Sequence, residues 1–242
     1  MLTNPQKPEP QIKRSTGEEL ELVDVFFTLQ GEGPFTGHAS VFIRLAGCNL
    51  QCPWCDTDYT TNRQFYTVEH IVKQLVAKHI ITHPRTKLVV ITGGEPLRQN
   101  IVPLITLLHE THGVHVQIES NGVFPPSFAL TDLIREGIVT YIVSPKTSRI
   151  SATAELWASA YKYVISADSI DRYDGLPKQA LGHKAEPFIA RPPVNYNGKI
   201  YVNPCDSQDP IINRANMIAC RDSALKFGYR FGVQLHKLVD LP

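Results

Sequence analysis

"SVFIRLAGCNLQCPWCDT", residues 40–57, is the stretch on which the fold turns. Its first half is a continuous apolar run rich in β-branched residues. Such runs suit a strand buried on both faces of a parallel sheet. Its second half turns polar and carries three of the chain's five cysteines, Cys48, Cys52 and Cys55, spaced C-x3-C-x2-C. Sites in parallel α/β folds lie beyond the carboxyl ends of the strands, so this loop falls at the functional rim. Disulfides cannot use all three thiols, and a tetrahedral zinc site would want a fourth ligand. Three thiolates can hold three irons of a 4Fe–4S cluster and leave the fourth iron open to another ligand. A zinc site completed by a distant His and a set of inert buried thiols stand as the other readings.

Outward from this stretch, similar runs recur: "KLVVITG" (87–93), "HVQIES" (115–120), "TYIVSP" (140–145), "YKYVIS" (161–166), "KIYVNP" (199–204) and "RFGVQLH" (230–236). Helical patterns lie between several of them. Val68, Ile71, Val72, Leu75 and Val76 share one face at i, i+3, i+4, i+7, i+8. "NIVPLITLLHETHG" predicts a second helix stopped at Gly113, and "SQDPIINRANMIACRDSALKFG" a third, ended by Gly228. Strand and helix alternating over about six units predict an α/β fold with a mostly parallel sheet, open or curled into a partial barrel. The loops "GGEP", "SNG" and "SPK" then share the rim with the cysteines.

The 242 residues are 43% hydrophobic and 19% charged, with net charge +1. This is enough to bury a sizeable core. The near-neutral balance argues against broad binding to a nucleic-acid backbone. No apolar run approaches the roughly 18 residues of a membrane span, and "MLTNPQKPEPQIKRSTGEE" lacks the apolar centre of a signal peptide. Residues 1–20 read as a flexible arm and 21–242 as one domain. A cytoplasmic protein is expected, where thiols stay reduced and clustered cysteines point to metal or redox work. The histidines form no H-E-x-x-H pattern, so a zinc hydrolase is not expected.

"TGGEP", Thr92 to Pro96, follows the strand "KLVVI". Its two glycines let a backbone pass close to a ligand, and Glu95 could accept from an amine or be a helix N-terminal carboxylate. Alone it is no more than a strand-to-helix turn. Together, C-x3-C-x2-C after one strand, Trp54 before the last Cys and GGEP after the next strand resemble the radical S-adenosylmethionine (SAM) superfamily. The resemblance implies a partial (β/α)6 barrel, a 4Fe–4S cluster on Cys48, Cys52 and Cys55, and SAM chelated by the open iron. Reductive cleavage of that SAM would yield a 5′-deoxyadenosyl radical. It also implies SAM contacts from Trp54, Cys55 and Asp56, from Gly94 and Glu95 to the methionine amine, and from Ser144, Pro145 and Lys146. Asn203, Pro204, Cys205 and Asp206 would bind SAM through the backbone. Asn203 departs from the Gln that many members carry there, which leaves side-chain roles in that segment open.

A narrower resemblance lies upstream. "FFTLQGEGPFTGHASVFIRLAGCNLQCPWCDTDY" (26–59) is similar to the 7-carboxy-7-deazaguanine synthase family. The carriers are Leu29–Gly33, Arg44 four residues before the first Cys, and Cys55–Thr57. This implies a homodimer that converts 6-carboxy-5,6,7,8-tetrahydropterin to 7-carboxy-7-deazaguanine with loss of ammonia, in the pathway to queuosine. An electron donor such as flavodoxin or ferredoxin is implied too. Leu29, Gln30, Gly31, Glu32, Arg44, Thr92 and Pro242 would bind the substrate, and Thr57 a magnesium ion that also touches it. The residue types suit that task. Gln30 offers a donor and an acceptor, Glu32 can accept from an exocyclic amine, and Arg44 can clamp a carboxylate with its planar fork. Arg44 also interrupts an apolar strand, which argues against an idle surface ion pair. Leu238, Val239 and Leu241 are expected to fix the tail against the barrel, so that the carboxylate of Pro242 sits at the site. Cys205 and Cys220 are expected to pack as small apolar residues. Two other functions compete: a glycyl-radical activating enzyme, which needs neither LQGEG nor Arg44, and a non-enzymatic iron–sulfur or zinc module, which needs no GGEP.

Overall fold

In the computed structural model, which describes residues 4–179 and 188–242, the strands join one open sheet. They are β1 (Glu19–Leu29), β2 (Ala39–Leu45), β3 (Gln64–Thr67), β4 (Leu88–Gly93), β5 (His115–Ser120), β6 (Val139–Val143), β7 (Ala160–Ile165), β8 (Lys199–Pro204) and β9 (Arg230–Phe231). Their spatial order is β3-β1-β2-β4-β5-β6-β7-β8-β9. From β2 onward every neighbouring pair is parallel. Only the β3-β1-β2 edge is antiparallel. The mostly parallel α/β sheet expected from the sequence is therefore present, and it does not close.

The helices are α1 (Val68–His70), α2 (Ala77–Thr82), α3 (Val102–His112), α4 (Phe128–Arg135), α5 (Ala152–Trp157), α6 (Pro210–Phe227) and α7 (Leu235–Leu238). A π-helical stretch, Ile71–Val76, joins α1 to α2. Gly113 and Gly228 end α3 and α6 in left-handed conformations that cost a glycine little. Asp209 caps α6, accepting from the Ile211 and Ile212 amides. Val41, Ile43, Val89, Ile91, Val116 and Ile118 of the sheet and Leu104 and Leu108 of α3 are fully buried. Each such side chain contributes roughly 1.5–3 kcal/mol on leaving water.

Three expectations are corrected. The span 230–236 is not one strand. Pairing to β8 stops after Phe231, and the chain then turns into α7. Strands β1 and β3 had no counterpart in the reading of apolar runs, because "ELELVDVFFTL" is punctuated by Glu19, Glu21 and Asp24. The strand β1 starts at Glu19, inside the span taken as an arm, and residues 4–12 are hydrogen-bonded to the cysteine loop and the turn after β4.

Candidate active site

Two cavities open at the carboxyl-end rim. The first, of about 270 Å³, is lined by Cys48, Cys52, Trp54 and Cys55 on one side. The turns after β4, β5, β6 and β8 supply Gly94, Asn121, Ser144, Lys146, Cys205 and Asp206, and Asn203 and Pro204 end β8 itself. The second, of about 310 Å³, is lined by Leu29, Gln30 and Arg44 from the antiparallel edge and by His236 and Pro242 from the tail. Glu32, Asp56, Thr57, Thr92, Glu119 and Lys162 line both, so the two are neighbours with one common wall.

In the first cavity all three thiols are free. Burial pushes the Cys48 thiol up to about 12 and raises Cys52 and Cys55 too, while the Lys146 ammonium draws Cys52 the other way. Metal ligation would replace those protons. Among the described residues, no three His, Cys, Asp or Glu side chains gather as a site for a single metal ion. The thiols are instead spread around a cavity wide enough for a multi-atom group, which fits a cluster better than a lone zinc ion.

Backbone shape makes the rest of this cavity. A Cβ at Gly94 would run into the Gly47 carbonyl, so only glycine lets the turn after β4 lie against the cysteine loop. Lys146 donates to Ser144 Oγ at 2.6 Å. Asn203 is 1% exposed, and neither its amide nitrogen nor its amide oxygen has a partner. A buried amide left unpaired costs about 1–3 kcal/mol, so a ligand with complementary polar atoms fits there.

Glu95 takes the second of its two expected roles, a carboxylate at a helix N-terminus, capping the short turn Pro96–Arg98. It is 0% exposed and does not line the cavity. Its carboxylate accepts from Ser120 Oγ and the Asn121 amide, each at 2.8 Å, and from the Leu97 amide at 3.0 Å. It therefore braces the turn, and what lines the cavity is the Gly93–Gly94 stretch. Pro145 is likewise buried and outside the lining, shaping the loop between Ser144 and Lys146.

The second cavity is built from side chains. Arg44 lies 5.3 Å from the Phe26 ring centre, and among the described residues no carboxylate forms an ion pair with it. Its fork is available to an anion. Gln30 Oε1 accepts from the Glu32 amide at 3.0 Å, and its Nε2 reaches Glu119 Oε1 at 3.5 Å. A Cβ at Gly31 would strike the His236 ring, so this glycine admits the tail. Thr28 Oγ1 donates to the Pro242 carbonyl at 2.9 Å.

Two residues of the wall between the cavities, Glu119 and Lys162, were missed from sequence. Lys162 on β7 pairs with Glu32 at 2.5 Å and Glu119 at 2.7 Å. Burial opposes its charge, but the two carboxylates outweigh burial and hold its pKa up. Burial raises that of Glu119. The signal was present: Lys162 in "YKYVIS" and Glu119 in "HVQIES" interrupt buried strands just as Arg44 does.

The tail is corrected too. Leu238 is 64% exposed, and Val239 and Leu241 are also exposed. Polar contacts hold α7 instead: Lys237 pairs with Asp206 at 2.9 Å and Asp56 at 3.1 Å, and Gln234 Nε2 donates to Asp56 at 3.2 Å. A tail that skims a wet rim has no apolar surface beneath it to bury leucines. Cys220, on α6, is buried as expected, whereas Cys205 is buried and also lines the first cavity.

A spread triad of thiols, a glycine-built turn and an orphaned amide around one cavity define a class. Residues 42–165 match the radical SAM superfamily, and the chain belongs to it. A 7-carboxy-7-deazaguanine synthase of Rhodospirillum rubrum is 38% identical, covering 98% of both chains. One of Hyperthermus butylicus is 35% identical over 92% of this chain and 94% of that one. This chain therefore belongs to the 7-carboxy-7-deazaguanine synthase family. The fold is similar to that of QueE from Escherichia coli, with a TM-score of 0.61 and 22% identity over 89% of this chain and 93% of that one. Among the described residues no helix is long and apolar enough to cross a membrane.

Proposed function

We propose that this chain converts 6-carboxy-5,6,7,8-tetrahydropterin to 7-carboxy-7-deazaguanine with loss of ammonia, a step of 7-deazaguanine and queuosine biosynthesis. Family membership supports the reaction. The observation that carries the residue assignments is the common wall: a cavity with three thiols adjoins one with an unpaired arginine. When bound in the first cavity, a 4Fe–4S cluster and SAM supply a 5′-deoxyadenosyl radical.

Cys48, Cys52 and Cys55 hold the cluster. Trp54, Cys55 and Asp56, the Gly93–Gly94 stretch, Ser144, Lys146 and the segment 203–206 orient SAM. Asn203 gives its unpaired amide to polar atoms of that ligand. In the second cavity Arg44 clamps the substrate carboxylate in bidentate fashion. Leu29, Gln30, Gly31, Glu32 and Thr92 read the flat donor–acceptor face of the pterin. Pro242, tied down by Thr28, presents acceptor oxygen to its guanidine-like edge. Lys162 holds Glu32 and Glu119 in place through its two ion pairs. Thr57 lines both cavities. Its hydroxyl suits a magnesium ion, which takes few protein oxygens and draws the rest from substrate and water. A homodimer in the cytoplasm, fed electrons by a flavodoxin or ferredoxin, completes the reading.

The test is anaerobic reconstitution with iron and sulfide, followed by SAM, reductant and the carboxytetrahydropterin. The expected result is 7-carboxy-7-deazaguanine and ammonia. SAM cleavage that never yields the deazapurine would contradict the substrate. Zinc in the thiol site, with no cluster absorption, would contradict the whole reading.

A further inference from the structure

The described N-terminal segment bonds the main chain at Cys48 and Cys52 and, two residues beyond Cys55, at Thr57. The Glu9 amide donates to the Cys48 carbonyl at 2.7 Å. Asn4 Nδ2 donates to the Cys52 carbonyl at 3.1 Å, and Gln51 Nε2 returns a bond to the Asn4 carbonyl at 2.9 Å. Gln6 brackets the end of the loop: its Nε2 donates to the Thr57 carbonyl at 3.0 Å, and its Oε1 accepts from the Tyr59 amide at 2.8 Å. From Cys48 to Tyr59 the loop has neither helix nor strand. Its main chain therefore depends on partners from elsewhere.

The segment is itself anchored. The Glu9 carboxylate pairs with both Arg63 and Arg98, and each arginine also faces Glu21 at 3.4 Å. Arg98 is buried three residues beyond Glu95, and its carbonyl accepts from the Ile12 amide at 2.8 Å. Gln11 Nε2 donates to the Leu97 carbonyl at 2.9 Å. One carboxylate thus ties the segment both to the far end of the cysteine loop and to the turn after β4. These are the two elements that must keep a fixed distance if thiols and glycine turn are to serve one ligand set.

We infer that residues 4–12 form a strap whose Asn4, Gln6 and Glu9 are positioning residues for the three cluster thiols. The strap acts through the loop's main chain and touches no reacting atom. This rests on the reading that those thiols hold a cluster, and the test separates the two.

The variants are the double change Asn4→Ala with Gln6→Ala, and Glu9→Gln as a milder second. The metal-free full-length chain is treated with iodoacetamide, and each cysteine is followed by mass spectrometry. In the double variant Cys48, Cys52 and Cys55 should react on the order of tenfold faster, because lost loop hydrogen bonds raise the population of local openings. Cys220, buried on α6 and remote from the strap in sequence, should not change. Glu9→Gln should give the same pattern more weakly. Reconstituted variants should release iron to a chelator faster than the unaltered protein by a similar factor. Unchanged thiol rates would overturn the strap, and so would equal acceleration of Cys220, which marks general loosening. If the unaltered protein takes up no iron, the cluster reading fails, and the thiol rates still decide the strap.

Discussion

The two cavities are made by different means. The first is built from backbone turns at the ends of parallel strands, with glycines and a loop of thiols. The second is built from long side chains gathered from β1, β2, β5, β7 and the tail. A backbone site tolerates side-chain change around it but depends on loop position. A side-chain site depends on individual charges and on what pairs them. Damage to the first cavity should therefore abolish all chemistry. Damage to the second should leave radical generation running without product.

The largest effect is expected at the thiols. Cys52→Ala should lower iron uptake and abolish both 5′-deoxyadenosine and product, measured by chromatography after anaerobic reconstitution. Deoxyadenosine formation at the normal rate would show that the loop is not the cluster site. Next is Lys162→Met, which leaves Glu32 and Glu119 facing each other in a buried wall. Removing one partner of a buried ion pair costs about 3–5 kcal/mol, so Tm should fall by roughly 10–15 °C. A Tm within a few degrees of the unaltered protein would mean the wall is wetter than its burial indicates.

Thr57→Ala should slow product formation and weaken its dependence on added magnesium. Loss of a residue that merely supports a metal ligand typically costs about 10–100-fold, and a direct ligand should cost no less. Full activity in thorough chelator would remove magnesium from the account. The smallest effect is expected at the tail. Lys237→Met removes two partly exposed ion pairs, each of the kind that is worth little and is screened by salt. KM should rise only a few-fold. Hydrogen bonding from Lys237, with help from the Gln208 amide and Asn213, holds the Asp206 carboxyl down to about 2. A depressed carboxylate contributes above its unfolded pKa and loses that contribution as pH falls through the folded one. Burial lowers the pKa of the His236 imidazole on α7 as well, so tail docking should be flat only from about pH 7 to pH 8 and weaken as pH falls below about 6.5 and that ring must charge; a KM that changes steeply between about pH 7 and pH 8 would point to another group.

The same contrast governs what could be read from sequence. The parallel strands announced themselves as apolar runs because both their faces are buried. The cysteine loop announced itself by its thiol spacing, and GGEP, alone no more than a strand-to-helix turn, became legible only beside it. The antiparallel edge did not, since β1 carries Glu19, Glu21 and Asp24 among its apolar residues. Arg44 was recognised as a charge inside an apolar strand, yet Lys162 and Glu119 passed unnoticed though they carry the same mark. Lys162 reaches Glu32 across 130 residues of chain, a pairing that no local pattern encodes. The polar anchoring of α7 was hidden for the same reason, because Asp56, Asp206 and Lys237 meet only in the fold. Glu95 shows the converse limit: a motif placed the residue at the rim, but not the direction its carboxylate would face.

The central claim is that radical generation and substrate capture occupy separate, adjoining cavities. The most direct test is the ratio of 7-carboxy-7-deazaguanine to 5′-deoxyadenosine made by Arg44→Lys under saturating SAM and reductant. Lysine keeps the charge and loses the planar fork, and a charge-assisted hydrogen bond is worth about 1.5–3 kcal/mol. Product should fall by roughly ten- to a hundredfold, while deoxyadenosine persists, so the ratio collapses. A ratio equal to that of the unaltered protein, with both products reduced together, would contradict the claim and place Arg44 in support of the cysteine loop.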